Sequence, residues 1–160
     1  MKKDLLIIFG LVGLVIVLLI IGALAQVFPK GQIPTQKTQA KIDNLKVSVE
    51  VAKNPTQRAK GLSGRTNLPS DGGMLFVFDR EDRYAFWMKN VAVPLDFIWI
   101  SKDKVVADIT QNAQPEPGKT ESQLRIYRPA APILYVLEVN AGLAREENVR
   151  IGDSVEFKLP

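Results

Sequence analysis

From Leu5 to Ala25 every position is Leu, Ile, Val, Phe, Ala or Gly, and no side chain in that run is polar. As an α-helix rising about 1.5 Å per residue, the stretch ending at Phe28 would cover roughly 36 Å. The hydrocarbon core of a bilayer is about 30 Å thick. A helix this uniformly apolar has no polar face to turn toward water, so residues 1–28 are expected to be a transmembrane helix or an export signal. Lys2 and Lys3 precede the run. Cations at that end hold it in the cytoplasm, and the chain beyond the run is carried to the outer face. Ala23-Leu24-Ala25 has the small-x-small pattern of a cleavage site. The run is longer than the roughly 7–15 residues of an ordinary signal core, which favours an uncleaved anchor. Both readings place the remainder outside the cytoplasm, either tethered as a single-pass protein or released.

Residues 29–41 are rich in Pro, Gln, Lys and Thr and read as a flexible linker. Residues 42–160 remain, enough for one domain with its own core. The whole chain has no Cys and no His. Disulfides and thiol chemistry are therefore excluded, together with Ser-His-Asp catalysis and histidine metal ligation. No cofactor is expected. The formal charge of +4 is spread along the chain. It suits an envelope polymer or lipid surface, and it lacks the clustered basic stripe of a nucleic-acid binder.

Leu45, Val47, Val49 and Val51 alternate with polar residues, the period of a half-buried strand. Asn54-Pro55 is a helix entry and Gly61 a stop. Further strands are predicted at Met74–Phe78, Tyr84–Met88, Leu95–Ile100, Val105–Thr110, Ile133–Val139 and Ser154–Leu159, with a charged turn over Asp79–Arg83. Lys102-Asp103 marks a hairpin, Asn112–Ser122 a long polar loop and Ala141–Asn148 a short helix. Many short strands with one or two short helices predict a mainly β domain, a compact antiparallel sandwich or barrel.

Four places hold chemistry-bearing groups. Arg58 and Arg65 flank Gly61 and Gly64, where an anion could sit; a basic helix end is the plainer reading. Strand alternation through Phe86-Trp87-Met88-Lys89-Asn90 puts Trp87 and Lys89 on one face, suited to a sugar or peptide groove or simply to packing. Asp96 and Glu138 lie inside apolar strands and need partners; Arg58 or Arg65 would serve Asp96. The two acids could instead form a carboxylate pair, which a glycosidase needs about 5–10 Å apart. Gly152-Asp153 reads as a turn.

Arg58-x-x-Gly61-Leu62-x-x-Arg65, Gly73-Met74-Leu75-Phe76-x-Phe78, Phe86–Asn90, Pro94-Leu95-Asp96, Leu137-Glu138 with Ala141-Gly142, and Gly152-Asp153 succeed one another in order. Together they resemble the bacterial and archaeal domain of unknown function 192 family. The resemblance implies a compact β-rich fold, often behind a signal or single membrane helix. It brings no activity, cofactor or catalytic residue. The expected function is therefore a noncatalytic binding or accessory module for a carbohydrate, peptide or small anion. Its candidate face is Arg58, Arg65, Trp87, Lys89, Asn90, Asp96 and Glu138. The alternatives are a hydrolase of an envelope polymer using Asp96 and Glu138, and a structural partner of a membrane complex docking through an edge strand. The expected partners are the membrane, through the N-terminal helix, and a small molecule or envelope polymer, with no nucleic acid.

Overall fold

A computed structural model describes residues 35–160. The anchor or signal expected over residues 1–28 lies outside them, as do residues 29–34 of the expected linker. Among the described residues no helix is long and apolar enough to cross a membrane.

Among the described residues seven strands form one sheet: β1 Gln36–Ile42, β2 Leu45–Ala52, β3 Gly72–Asp82, β4 Leu95–Ile100, β5 Val106–Ala113, β6 Ile133–Asn140 and β7 Val155–Phe157. Two short helices accompany them, α1 Pro55–Lys60 and α2 Leu143–Glu146. The strand order is β5-β4-β6-β3-β2-β1-β7. The mainly β expectation holds, with two corrections. The sheet is mixed, because β2 and β3 run parallel. The α1 crossover returns the chain to the starting end of β2, as parallel neighbours require. The expected linker also stops early, since Gln36–Ile42 is a strand paired with both β2 and β7. Only Ala40 and Ile42 of that strand are buried, and Gln and Lys face water. That outward face explains the tether-like composition.

The sheet curls until its two outermost strands meet at one end. Val105 bridges Ser154, and the Val106 amide donates to the Asp153 carbonyl. Two apolar clusters occupy the two faces. One gathers Ile42, Val47, Val49, Leu75, Ile98 and Leu137. The other gathers Met74, Phe76, Met88, Phe97, Trp99 and Val136. Asn54 caps α1, its side chain accepting from the Gln57 amide at 2.9 Å while the Gln57 side chain reaches back. Gly61 ends the helix at φ 46°.

Tyr84–Met88 is not a strand. Its ladder pairing is one Phe86–Tyr127 bridge, and it lies over the second cluster as a loop. The predicted charged turn over Asp79–Arg83 is instead largely the outer end of β3, which runs to Asp82. Phe86 is the wedge of that loop. Its ring meets Phe76 at 5.0 Å and Trp99 at 5.4 Å, both edge to face.

Gly73 sits where β3 passes between β2 and β6. A Cβ there would stand 2.6 Å from the Glu138 carbonyl oxygen, and backbone cannot step aside as a side chain can. Gly73→Ala is therefore expected to destabilise the domain by about 2–4 kcal/mol through overpacking. Equal urea midpoints for variant and parent would show that β3 and β6 can part there.

Candidate functional site

A cleft of about 470 Å³ opens on the face of the sheet covered by the Tyr84–Val91 loop. One wall is the end of α1 and its Gly61 stop. The other carries Phe78, Tyr84, Phe86 and Trp87. Phe78 and Tyr84 stack at 3.6 Å, and the Arg58 guanidinium lies 5.2 Å over the Phe78 ring. Trp87 stands at the mouth, 41% exposed.

Glu138 forms the floor. Cross-strand pairing sets it between Met74 of β3 and Phe97 of β4, in the middle of the apolar face. It is only 5% exposed. Among the described residues nothing hydrogen-bonds to its carboxyl or forms an ion pair with it. Burial alone pushes its pKa from 4.5 up to about 8. Among the described residues no buried side-chain oxygen is sealed away without a partner, so the carboxyl oxygens open onto the cleft. At neutral pH the cleft thus presents mostly an uncharged acid, able both to donate and to accept a hydrogen bond.

The other expected site residues scatter. Arg58 borders the cleft, but its guanidinium is already engaged. It donates to the Val77 carbonyl at 2.8 Å and the Lys53 carbonyl at 2.9 Å, and lies 3.6 Å from Asp79. Arg65 is drawn elsewhere and pairs with Glu50 at 2.6 Å. Burial opposes the charge on Glu50, yet hydrogen bonds from Thr35 and Arg65 outweigh it and lower its pKa. The anion site expected between Arg58 and Arg65 is therefore not assembled. Lys89 shares the rim with Glu121 and forms an ion pair with it. Asn90 adopts φ 54°, and its carbonyl accepts from the Gly64 amide at 2.7 Å; its side chain borders a neighbouring cavity.

Asp96 is in a different place altogether. It pairs across the sheet with Val139, whereas Glu138 pairs with Phe97. Directly opposed residues share a face, and successive residues alternate. The two acids therefore project from opposite faces of the sheet, and the carboxylate pair required by the hydrolase alternative is not formed. Nor does Asp96 meet an arginine. One oxygen accepts from the Asn112 amide at 2.8 Å, and the other from the Gly142 and Ala144 amides at 2.9 and 3.1 Å. It acts as a remote cap for α2, whose own cap residue, Gly142, has no side chain to offer.

Sequence reading missed Glu121, Phe78 and Tyr84. Phe78 and Tyr84 were legible as aromatic residues flanking a charged stretch, but nothing local signalled that they stack. Glu121 sits in a 3-10 turn, Glu121–Gln123, inside the polar loop. Only the fold brings that loop to Lys89. Among the described residues no group of three or more acidic side chains is placed to hold a metal ion.

The DUF192 family model, described as uncharacterized ACR, matches residues 37–157. A crystal structure of a candidate transcription regulator from Sinorhizobium meliloti 1021 is similar at 33% identity, with a TM-score of 0.71. The match covers 79% of this chain and 98% of that one. A protein of unknown function from Novosphingobium aromaticivorans DSM 12444 is 32% identical, with a TM-score of 0.67 and coverage of 81% and 89%. No curated protein matched the chain.

Proposed function

The chain belongs to the DUF192 family, and from the cleft over Glu138 we propose that it is a noncatalytic binding module, held at or exported across a membrane by its apolar leader. The carrying observation is the partnerless acid on the cleft floor. An unpaired buried carboxyl weakens a fold, and a cleft that keeps one is a candidate binding site. Around it stand aromatic faces and charged groups mostly paired, Arg58 with Asp79 and Lys89 with Glu121, with Lys60 at the outer end of α1. A neutral, hydrogen-bonding ligand with an apolar face suits that lining better than a strong anion or cation. A saccharide is the reading we adopt, with Trp87 as the stacking surface and Glu138 as the buried hydrogen-bonding group.

Nucleic acid is left out of this reading. The α-helices among the described residues are six and four residues long. That is about 9 and 6 Å, too short to reach along a major groove as recognition helices do. Docking through an edge strand has weaker support. β7 has three residues, and β5 pairs with β4 through two register shifts that break its flatness.

The test is the full chain on an array of neutral and acidic saccharides, followed by titration of the best hit against Trp fluorescence. Glu138→Ala and Trp87→Ala are each expected to weaken binding by about tenfold or more. Unchanged affinity in both variants would move the site elsewhere, and an array without a hit would end the saccharide reading.

A further inference from the structure

The cleft over Glu138 has a neighbour. A second cavity of about 530 Å³ lies beyond the loop, walled by Asn90, Pro115, Pro117 and Leu124. The two cavities have Lys89, Val91 and Glu121 in common. What separates them at the surface is thus the Lys89–Glu121 ion pair, carried on two loops.

We infer that the two cavities are subsites of one groove for an oligosaccharide, divided by the Lys89–Glu121 pair and joined when a ligand displaces it. This rests on the saccharide reading and extends it from a single sugar unit to a chain. Three observations carry it. Both partners of the divider are exposed, with side chains 45% and 59% accessible. Exposed pairs of that kind contribute little and are readily exchanged for other hydrogen bonds. The far wall is preformed, because Pro115 and Pro117 each fix a backbone torsion in the loop that builds it. The charges of the second cavity also cancel internally, since Lys119 pairs with Glu116. The two subsites are therefore alike in having most of their charges paired, with Lys60 at the α1 end of the first as the exception.

A polypeptide fits less well. Extended peptides gain their affinity by adding to a free strand edge. The sheet's outermost strands are β5 and β7, and neither contributes a residue to either cavity.

The experiment titrates the full chain with N-acetylglucosamine and its β-1,4-linked dimer and tetramer, and with glucose, cellobiose and cellotetraose, at matched ionic strength. In at least one series the tetramer is expected to bind about tenfold or more tighter than the monomer. In the Lys89→Ala/Glu121→Ala double variant the ratio of tetramer to monomer affinity is expected to rise severalfold, because the divider no longer has to be opened. Raising the salt concentration should move the parent's ratio the same way. Equal affinity for monomer and tetramer would overturn the joined groove and leave the Glu138 site standing. A ratio unchanged in the double variant would overturn the divider. Failure of every sugar in both series to bind would overturn this inference, and with an empty array it would take the saccharide reading down too.

Discussion

Replacing Asp96 by alanine is expected to lower the stability of the β domain by about 3–5 kcal/mol, among the largest effects of any single substitution here. The reason is the number of groups that depend on it. Asp96 is fully buried, and its carboxyl accepts from three backbone amides belonging to β5, the turn after β6 and the start of α2. Alanine leaves all three donors without their acceptor, beside a cavity of about 180 Å³ that Asp96 lines. Each unmade bond to a buried amide costs about 1–3 kcal/mol. Asp96→Asn should retain part of the loss, because an amide offers one accepting oxygen and turns an NH2 toward the remaining donors. Urea unfolding followed by the fluorescence of the buried Trp99 measures the difference. A midpoint for Asp96→Ala within error of the parent would mean that the three amides find other acceptors.

Glu138→Gln is expected to act in the opposite direction, and to do so as a function of pH. In the folded chain burial holds the Glu138 pKa at about 8, against 4.5 for a free carboxyl. Between those values the folded state keeps a proton that the unfolded state has released. Stability from this group is therefore greatest below about pH 4.5, declines as pH rises toward 8, and is flat beyond. Glutamine has nearly the same shape and carries no charge at any pH. The stability of Glu138→Gln relative to the parent should then grow by roughly 3–5 kcal/mol between pH 4.5 and pH 9. The comparison cancels every other titrating group. A difference that stays constant over that range would show that Glu138 ionises normally and that the cleft floor is wet. The proposed saccharide should flatten the slope as well, if it supplies hydrogen bonds to whichever form it meets.

The contrast between these two acids shows where the sequence was legible and where it was not. Both stood out for the same reason, a carboxyl inside an apolar strand. The strands themselves were readable, because alternation in Leu45–Val51 and unbroken apolar runs in Leu95–Ile100 and Ile133–Val139 are local patterns. The partners were not. Asp96 is satisfied by main-chain amides 16, 46 and 48 residues away in the chain. Main-chain groups are present in every residue and leave no compositional trace. Which face each acid takes depends on strand register, and register is fixed by pairing between distant segments. The same limit explains Tyr84–Met88. Only its end alternates, with Met88 buried between exposed Trp87 and Lys89, while Tyr84, Ala85 and Phe86 are all half-buried. Phe86 is held by aromatic packing onto Phe97 and Trp99, and its one backbone bridge is to Tyr127. Strand β1 was overlooked for the converse reason. Its period-two signal at Thr38, Ala40 and Ile42 was present but diluted by Gln and Lys.

The pairing of β1 with β7 has a consequence for how such a chain can be made. Ala40 lies opposite Phe157, so β1 gains its second neighbour only from β7, the strand farthest from it along the chain. Until β7 has been made the sheet has an open seam, and the barrel-like curl cannot shut. The domain therefore locks only when β7 arrives to join strands at both ends of its sequence.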